Sequence, residues 1–213
     1  MIDSEFSTFL RKYLSLQIQA VAPSLDGRSD IDEACLRAAI ERTNYCTSKI
    51  NGFDGRHFNH LNSGQYATFL YYLAHQLGKS ANEIDATRVF LLNKALNGID
   101  LFYEVQMPDV FLIGHTVGMV FAKAQYGSGC IFHQGCTVGR NQTDRPLLEP
   151  GIVMYPNSSI IGRCHVRENT VLSPGVQLIN TDSPGDCLVF VGEAGRPVFK
   201  PISEFYADRY LKR

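Results

Sequence analysis

The chain has no surplus of charge of either sign: 20 Lys and Arg stand against 21 Asp and Glu, a formal net charge of −1 over 213 residues. Without excess basic residues to neutralise phosphates, nucleic acid is not an expected partner. No run of about eighteen apolar residues occurs, so no membrane-spanning helix is expected. The opening MIDSEFSTFLRKYL has acids among its first residues and lacks the apolar core of a secretory leader. The six cysteines (Cys35, Cys46, Cys130, Cys136, Cys164 and Cys187) include no C-x-x-C pair. That spacing fits neither a zinc knuckle nor a disulfide-dense secreted framework, and a cytoplasmic protein with reduced, mostly buried thiols is the expectation. What is present is 45% hydrophobic and 19% charged residues, the balance of a folded chain with a sizeable core.

Two textures divide it. Residues 1–98 read as helices. Phe6, Phe9, Leu10, Tyr13 and Leu14 recur at helical spacing. A second helix begins after Ser29-Asp30-Ile31-Asp32, which offers capping side chains, and runs through Ala34, Leu36, Ala39 and Ile40. A third spans Ser63 to Leu77 and stops at Gly78, and a fourth runs from about Ala81 to Leu96 and stops at Asn97-Gly98. The aromatic row Tyr66, Phe69, Tyr71 and Tyr72 reads as bundle core and subunit contact.

Beyond Gly98 the helical period ends. From Met154 the chain can be written in sixes, MYPNSS, IIGRCH, VRENTV, LSPGVQ and LINTDS. Position one is Met154, Ile160, Val166, Leu172 and Leu178; position five is Ser158, Cys164, Thr170 and Val176, then Asp182. A period of six is neither 3.6 nor 2, and it fits a parallel β-helix of triangular section, each six forming one face with its aliphatic residue inward. Three sixes make a coil of about eighteen residues, the spacing that separates Ile113 from Ile131 and His115 from His133. From Ile131 to Met154 the excess over one coil falls in Gly139 to Pro146, a polar stretch read as a loop pushed out of the coil. The expected fold is α+β: helices over 1–98, a β-helix of about five coils over 99–200, and a tail over 201–213.

Gly98-Ile99-Asp100 followed by Gly114-His115-Thr116-Val117-Gly118 resembles the G-[IV]-D … D-H-x-x-G pattern of the serine acetyltransferases. Cys136-Thr137-Val138-Gly139 resembles that family's V-T-L-G, and Asp144-Arg145-Pro146 its D-R-H-P. The resemblance covers roughly residues 60 to 200. It implies a left-handed β-helix of the hexapeptide-repeat acyltransferases and acetyl-CoA as acyl donor, with no metal. It also implies a homotrimer with sites between neighbouring β-helices; pairing of trimers into hexamers stays open. His115 is then the general base and Asp100 its orienting partner, because a hydroxyl attacking a thioester must shed a proton as the bond forms. Arg145 would hold an acceptor carboxylate and His133 line the acceptor pocket. Gly139, Tyr155, Asn157, Ser158 and Gly195 would border the donor.

The departures bear on the acceptor. Gly114 stands where the family has Asp, Pro146 where it has His, and Asp54 is out of register with the helical aspartate that binds the serine amine. Tyr206 to Arg213 lack the terminal isoleucine by which members dock onto the sulfhydrylase of cysteine synthesis, so that complex is not expected. L-serine is the nominal acceptor. A sugar hydroxyl or amine is the competitor, since the chain also resembles acetyltransferases of bacterial surface-polysaccharide assembly. A catalytically silent scaffold is the third reading, and a metal site of His115, His133 and His165 a fourth.

Overall fold

In a computed structural model the chain is described over residues 4–24, 31–53, 55 and 57–212. The helices are α1 (Ser4–Val21), α2 (Glu33–Ser48), α3 (Ser63–Lys79) and α4 (Glu83–Asn97). Asp32 caps α2 by accepting from the Cys35 N–H at 2.8 Å; of the predicted capping residues, Ser29 and Asp30 lie outside the described residues. Asn62 and Asn82 cap α3 and α4 in the same way, and Gly98 ends α4 in the left-handed conformation at φ 64°. Gly78 does not stop α3. It lies within the helix, where a Cβ would come 2.7 Å from the Tyr103 ring, so the position takes glycine for close packing and not as a stop. Tyr66, Phe69, Tyr71 and Tyr72 are all buried inside the single chain, which corrects their expected part in subunit contact.

The strands then wind. β1 (Ile99–Leu101) opens face one and β2 (Phe111–Gly114) face three. β3 (Met119–Phe121), β4 (Gln125–Tyr126) and β5 (Cys130–His133) complete a coil, as do β6 (Thr137–Gly139), β7 (Leu147–Leu148) and β8 (Val153–Met154). β9 (Ser159–Ile161), β10 (His165–Val166) and β11 (Thr170–Leu172) follow, then β12 (Gln177–Ile179) and β13 (Cys187–Val191); β14 (Pro197–Pro201) turns back antiparallel on β13. Face one orders β1-β3-β6-β9-β12, face two β10-β7-β4, and face three β14-β13-β11-β8-β5-β2; among the described strands every pairing but β13–β14 is parallel. This is a parallel β-solenoid of about five turns. Met154, Ile160, Val166, Leu172 and Leu178 are each fully buried, as the hexads predict. Asp182 breaks the series by standing exposed, and the neighbouring Ser183 takes the inside place.

The upstream register differs from the eighteen-residue spacing. Gly114 pairs with His133 and Leu112 with Ile131, nineteen apart, so His115 and His133 are not stacked equivalents. The reason is the first corner. From Gly114 to the left-handed Gly118 there are four steps, whereas from His133 to its counterpart Gly135 there are two. Two additional residues therefore swell the chain at His115. The pushed-out loop is where it was expected, between β6 and β7, with Asn141 and Asp144 bridged across it, and it adds four residues to a coil of eighteen, since Ile131 pairs with Val153.

Ile131 does not enter the solenoid core. It belongs to an outward row on face three, Leu112, Ile131, Val153, Val171 and Leu188, which is roofed by Ile202, Tyr206, Ala207, Tyr210 and Leu211 from the tail.

The helices seat on the first coil where Gly64, in the first turn of α3, meets β2. A Cβ at Gly64 would lie 2.3 Å from the Ile113 carbonyl oxygen, a backbone atom that cannot swing aside. Gly64→Ala should cost upward of about 1–3 kcal/mol, read as a lower urea midpoint at unchanged m-value.

Candidate active site

A cleft of about 350 Å³ opens between the helices and the first coil. Its walls are the end of α2 (Cys46, Thr47), the segment Ile50, Asn51, Gly52 and Phe53, the start of α3 with Asn62, Ser63, Gly64, Gln65 and Thr68, and β2 through to His115. His115 is exposed at its rim and holds φ 59°, the left-handed region, where a non-glycine residue costs about 1–2 kcal/mol. Such strain collects where a side chain must be aimed. Among the described residues no group lies within hydrogen-bond reach of the His115 ring. The first turn of α3 also lines the cleft, and the N–H groups of Ser63 and Gly64 have no carbonyl behind them in the helix to bond. That turn carries the positive end of the helix dipole.

The expected hydrogen bond from the His115 ring to the Asp100 carboxylate is not made. Asp100 Oδ2 instead accepts from Lys94 Nζ at 2.7 Å, the lysine in the last turn of α4. Both side chains are well exposed, so the pair contributes at most about 1 kcal/mol.

His133 lies close enough to His115 to feel its charge but does not line the cleft. Its ring stacks flat on Tyr155 (centroids 5.1 Å, 3°) and meets the edge of Tyr210 at 5.8 Å. Its Nε2 is buried without a hydrogen-bond partner. The Tyr155 hydroxyl is committed as well, 2.9 Å from those of Tyr206 and Tyr210, which leaves its backbone as the part that could border a donor. Ser158 is fully buried inside the coil, its hydroxyl against the Cys136 thiol at 3.6 Å, which removes its side chain from donor binding.

Asn157 is exposed at a corner at φ 61° with its side chain lying over Gly135. Gly139 ends β6 on face one beside Ile161. Gly195 is exposed in the turn joining β13 to β14. Arg145 is exposed on the pushed-out loop, lining a separate groove with Glu104, Gln106, Lys123 and Gln125. Within one chain it does not meet His115. Asp54 lies outside the described residues.

One histidine–carboxylate pair follows no sequence motif. His165 Nε2 is 2.5 Å from Glu149 Oε1, and Glu149 also accepts the Glu168 N–H at 2.9 Å; those two bonds hold the Glu149 carboxyl below its usual range. The partners are sixteen residues apart in the chain, and only the β7–β10 pairing brings them together. The pair sits on face two, so His115, His133 and His165 do not converge on a metal. Among the described residues no group of three or more His, Cys, Asp or Glu could hold one. All six cysteines are free and buried, and burial pushes the Cys130 thiol up to about 12.

No family model matches the chain. It is 22% identical over 148 residues to a putative serine acetyltransferase of Schizosaccharomyces pombe, covering 67% of this chain and 54% of that protein. The chain thus spans about half the length of the curated relative it matches. The crystal structure of serine acetyltransferase from Vibrio cholerae O1 biovar El Tor N16961 superposes with a TM-score of 0.65 at 17% identity, over 83% of this chain and 70% of that one. A serine acetyltransferase in complex with CoA gives 0.59 at 15% identity, over 78% and 69%. The fold is that of the serine acetyltransferases. Helices packed ahead of a solenoid, with β2 and His115 at their junction, are laid out on that fold.

Burial, with the His115 charge next, holds His133 below the ordinary histidine pKa of 6.5, and burial does the same for His75. Both groups bind a proton more readily unfolded. Their contribution to stability is therefore full above about pH 6.5 and is lost as pH falls toward their folded values. Unfolding free energies from urea titrations should fall on acidification below about pH 6.5, and His133→Phe, which keeps the stack on Tyr155, should flatten that slope.

Proposed function

We propose that the chain transfers an acetyl group from acetyl-CoA to a small hydroxyl acceptor, with His115 as general base. The observation that carries this reading is His115 itself, held in a strained conformation at the rim of a cleft that the first turn of α3 also lines, its ring unbonded among the described residues. An acceptor hydroxyl in the cleft would give its proton to His115 as its oxygen attacks the thioester carbonyl. The oxyanion that forms is stabilised by donors such as free N–H groups at a helix start. Collapse breaks the C–S bond, and the imidazolium returns the proton to the departing thiolate, so the base is regenerated. Donor and reaction class are supported by the structural neighbours, which are serine acetyltransferases, one of them in complex with CoA, and by the fission-yeast relative.

In this reading Asp100 acts from its ion pair with Lys94 rather than as a bonded partner of the base. A direct dyad makes the carboxylate essential; an ion pair that does not touch the base does not.

L-serine is the acceptor to which the relatives point. A sugar hydroxyl is the second reading, and the cleft lining favours it: Thr47, Asn51, Asn62, Ser63, Gln65 and Thr68 are neutral hydrogen-bonding groups, and no carboxylate among the described lining residues is present to pair an ammonium. Assembly as a trimer, with Arg145 of one copy facing the cleft of the next, belongs to the same proposal.

Thiol release from acetyl-CoA should be measured with L-serine and with a panel of nucleotide sugars. His115→Ala should lower kcat by about 10²–10⁴-fold with whichever acceptor works, and full retention of turnover would reject the base assignment. Asp100→Asn should stay within about threefold of the parent; a loss comparable to that of His115→Ala would restore the dyad. No saturable turnover with serine, beside turnover with a sugar, would select the second reading.

A further inference from the structure

The tail does more than end the chain. Residues 205–212 run as a strap up the outside of face three and finish against the segment that walls the cleft. Its entry is fixed by Asn169, a buried side chain whose Nδ2 donates to the Glu204 carbonyl and whose Oδ1 accepts the Tyr206 N–H, both at 2.8 Å. The Phe205 ring fills the space over Gly151, where a Cβ would lie 2.3 Å from it. Ala207, Tyr206, Tyr210 and Leu211 then cover the outward aliphatic row, and Tyr206 and Tyr210 share the Tyr155 hydroxyl.

At its far end the strap is bonded to the helical half at closely spaced points. The Asn51 N–H donates to the Tyr210 carbonyl at 2.8 Å and the Lys212 N–H to the Lys49 carbonyl at 2.8 Å, with Ile50 and Leu211 bridged between them. Asn51 Nδ2 donates to the Asp208 carbonyl at 3.2 Å, and Lys212 Nζ donates to the Phe53 carbonyl. Ile50, Asn51, Gly52 and Phe53 line the same cleft as His115, and in that segment the structure records a bridge to the tail and no helix. The same strap also touches His133, whose ring packs against that of Tyr210.

The geometry assigns this strap the role of a positioning element, with Tyr210 at its centre: it holds the wall over residues 50–53 at the distance from His115 that fits the acceptor. The assignment rests on the acyl-transfer reading for its kinetic consequence and on the hydrogen bonds alone for its structural one. Loss of the strap leaves His115 and the start of α3 in place, so the step itself proceeds, while the acceptor loses a defined pocket. A wall that binds acceptor equally in ground and transition states moves KM and not kcat.

The test compares the full chain with a version ending at Arg209 and with full-length Tyr210→Ala. In both, amide exchange over residues 49–53 should quicken at least about tenfold while exchange within α3 stays unchanged. The acceptor KM should rise at least about tenfold with kcat within about threefold. A folded variant with unchanged exchange over 49–53, or one that loses kcat at constant KM, would overturn the assignment. If truncation unfolds the chain, Tyr210→Ala decides by the same readouts. If the parent turns over no acceptor, acyl transfer fails while the exchange measurement still judges the strap.

Discussion

The close approach of α3 to β2 is the contact on which the rest depends. Gly64 has no side chain, so the first turn of the helix rests on the Ile113 carbonyl, and the same strand ends one residue before His115. A larger residue at 64 would prise the helices from the first coil and open the cleft along its length. Cys46 adds a second fastening, its thiol donating to the Phe111 carbonyl at 3.2 Å. The helix dipole, the strand end and the imidazole are thus brought together by backbone geometry, which bends little, rather than by long side chains, which would have to be ordered first.

Each of the two histidines carries a local cost. His115 carries an unfavourable φ, and His133 carries a buried nitrogen without a partner. An unmet buried group of that kind costs about 1–3 kcal/mol. Neither feature helps the solenoid fold, and both sit where the first corner swells by two residues. The coils above, from Val153 to Leu178, keep the regular eighteen-residue step.

Much of the architecture is legible in the amino-acid order because a six-residue period has one physical meaning. Met154, Ile160, Val166, Leu172 and Leu178 had to point inward, and they do. The helix caps at Asp32 and Gly98 are equally local signals. What the pattern concealed was long-range. The eighteen-residue spacing of His115 and His133 suggested stacking, yet a corner insertion produces nearly the same spacing as a regular coil. Ile131 looked like core because nothing near it in the chain announces a covering tail some seventy-five residues later. His115 stood out through its motif. Its expected partner did not hold, since Lys94, six residues before Asp100, claims the carboxylate first. Charge pairing across elements is not written in any period.

The reversal of β14 bears on how such a stack behaves in a crowded solution. Parallel coils end in an open row of peptide groups able to recruit another chain, the route by which sheets grow into fibres. On face three that terminal strand runs against its neighbour, and a proline stands at each end of it, Pro197 and Pro201, with no N–H to offer. The opposite edge, β2, lies beneath α3. The longest sheet in the molecule is thereby sealed at both margins, and elongation by addition of a foreign strand is denied a foothold.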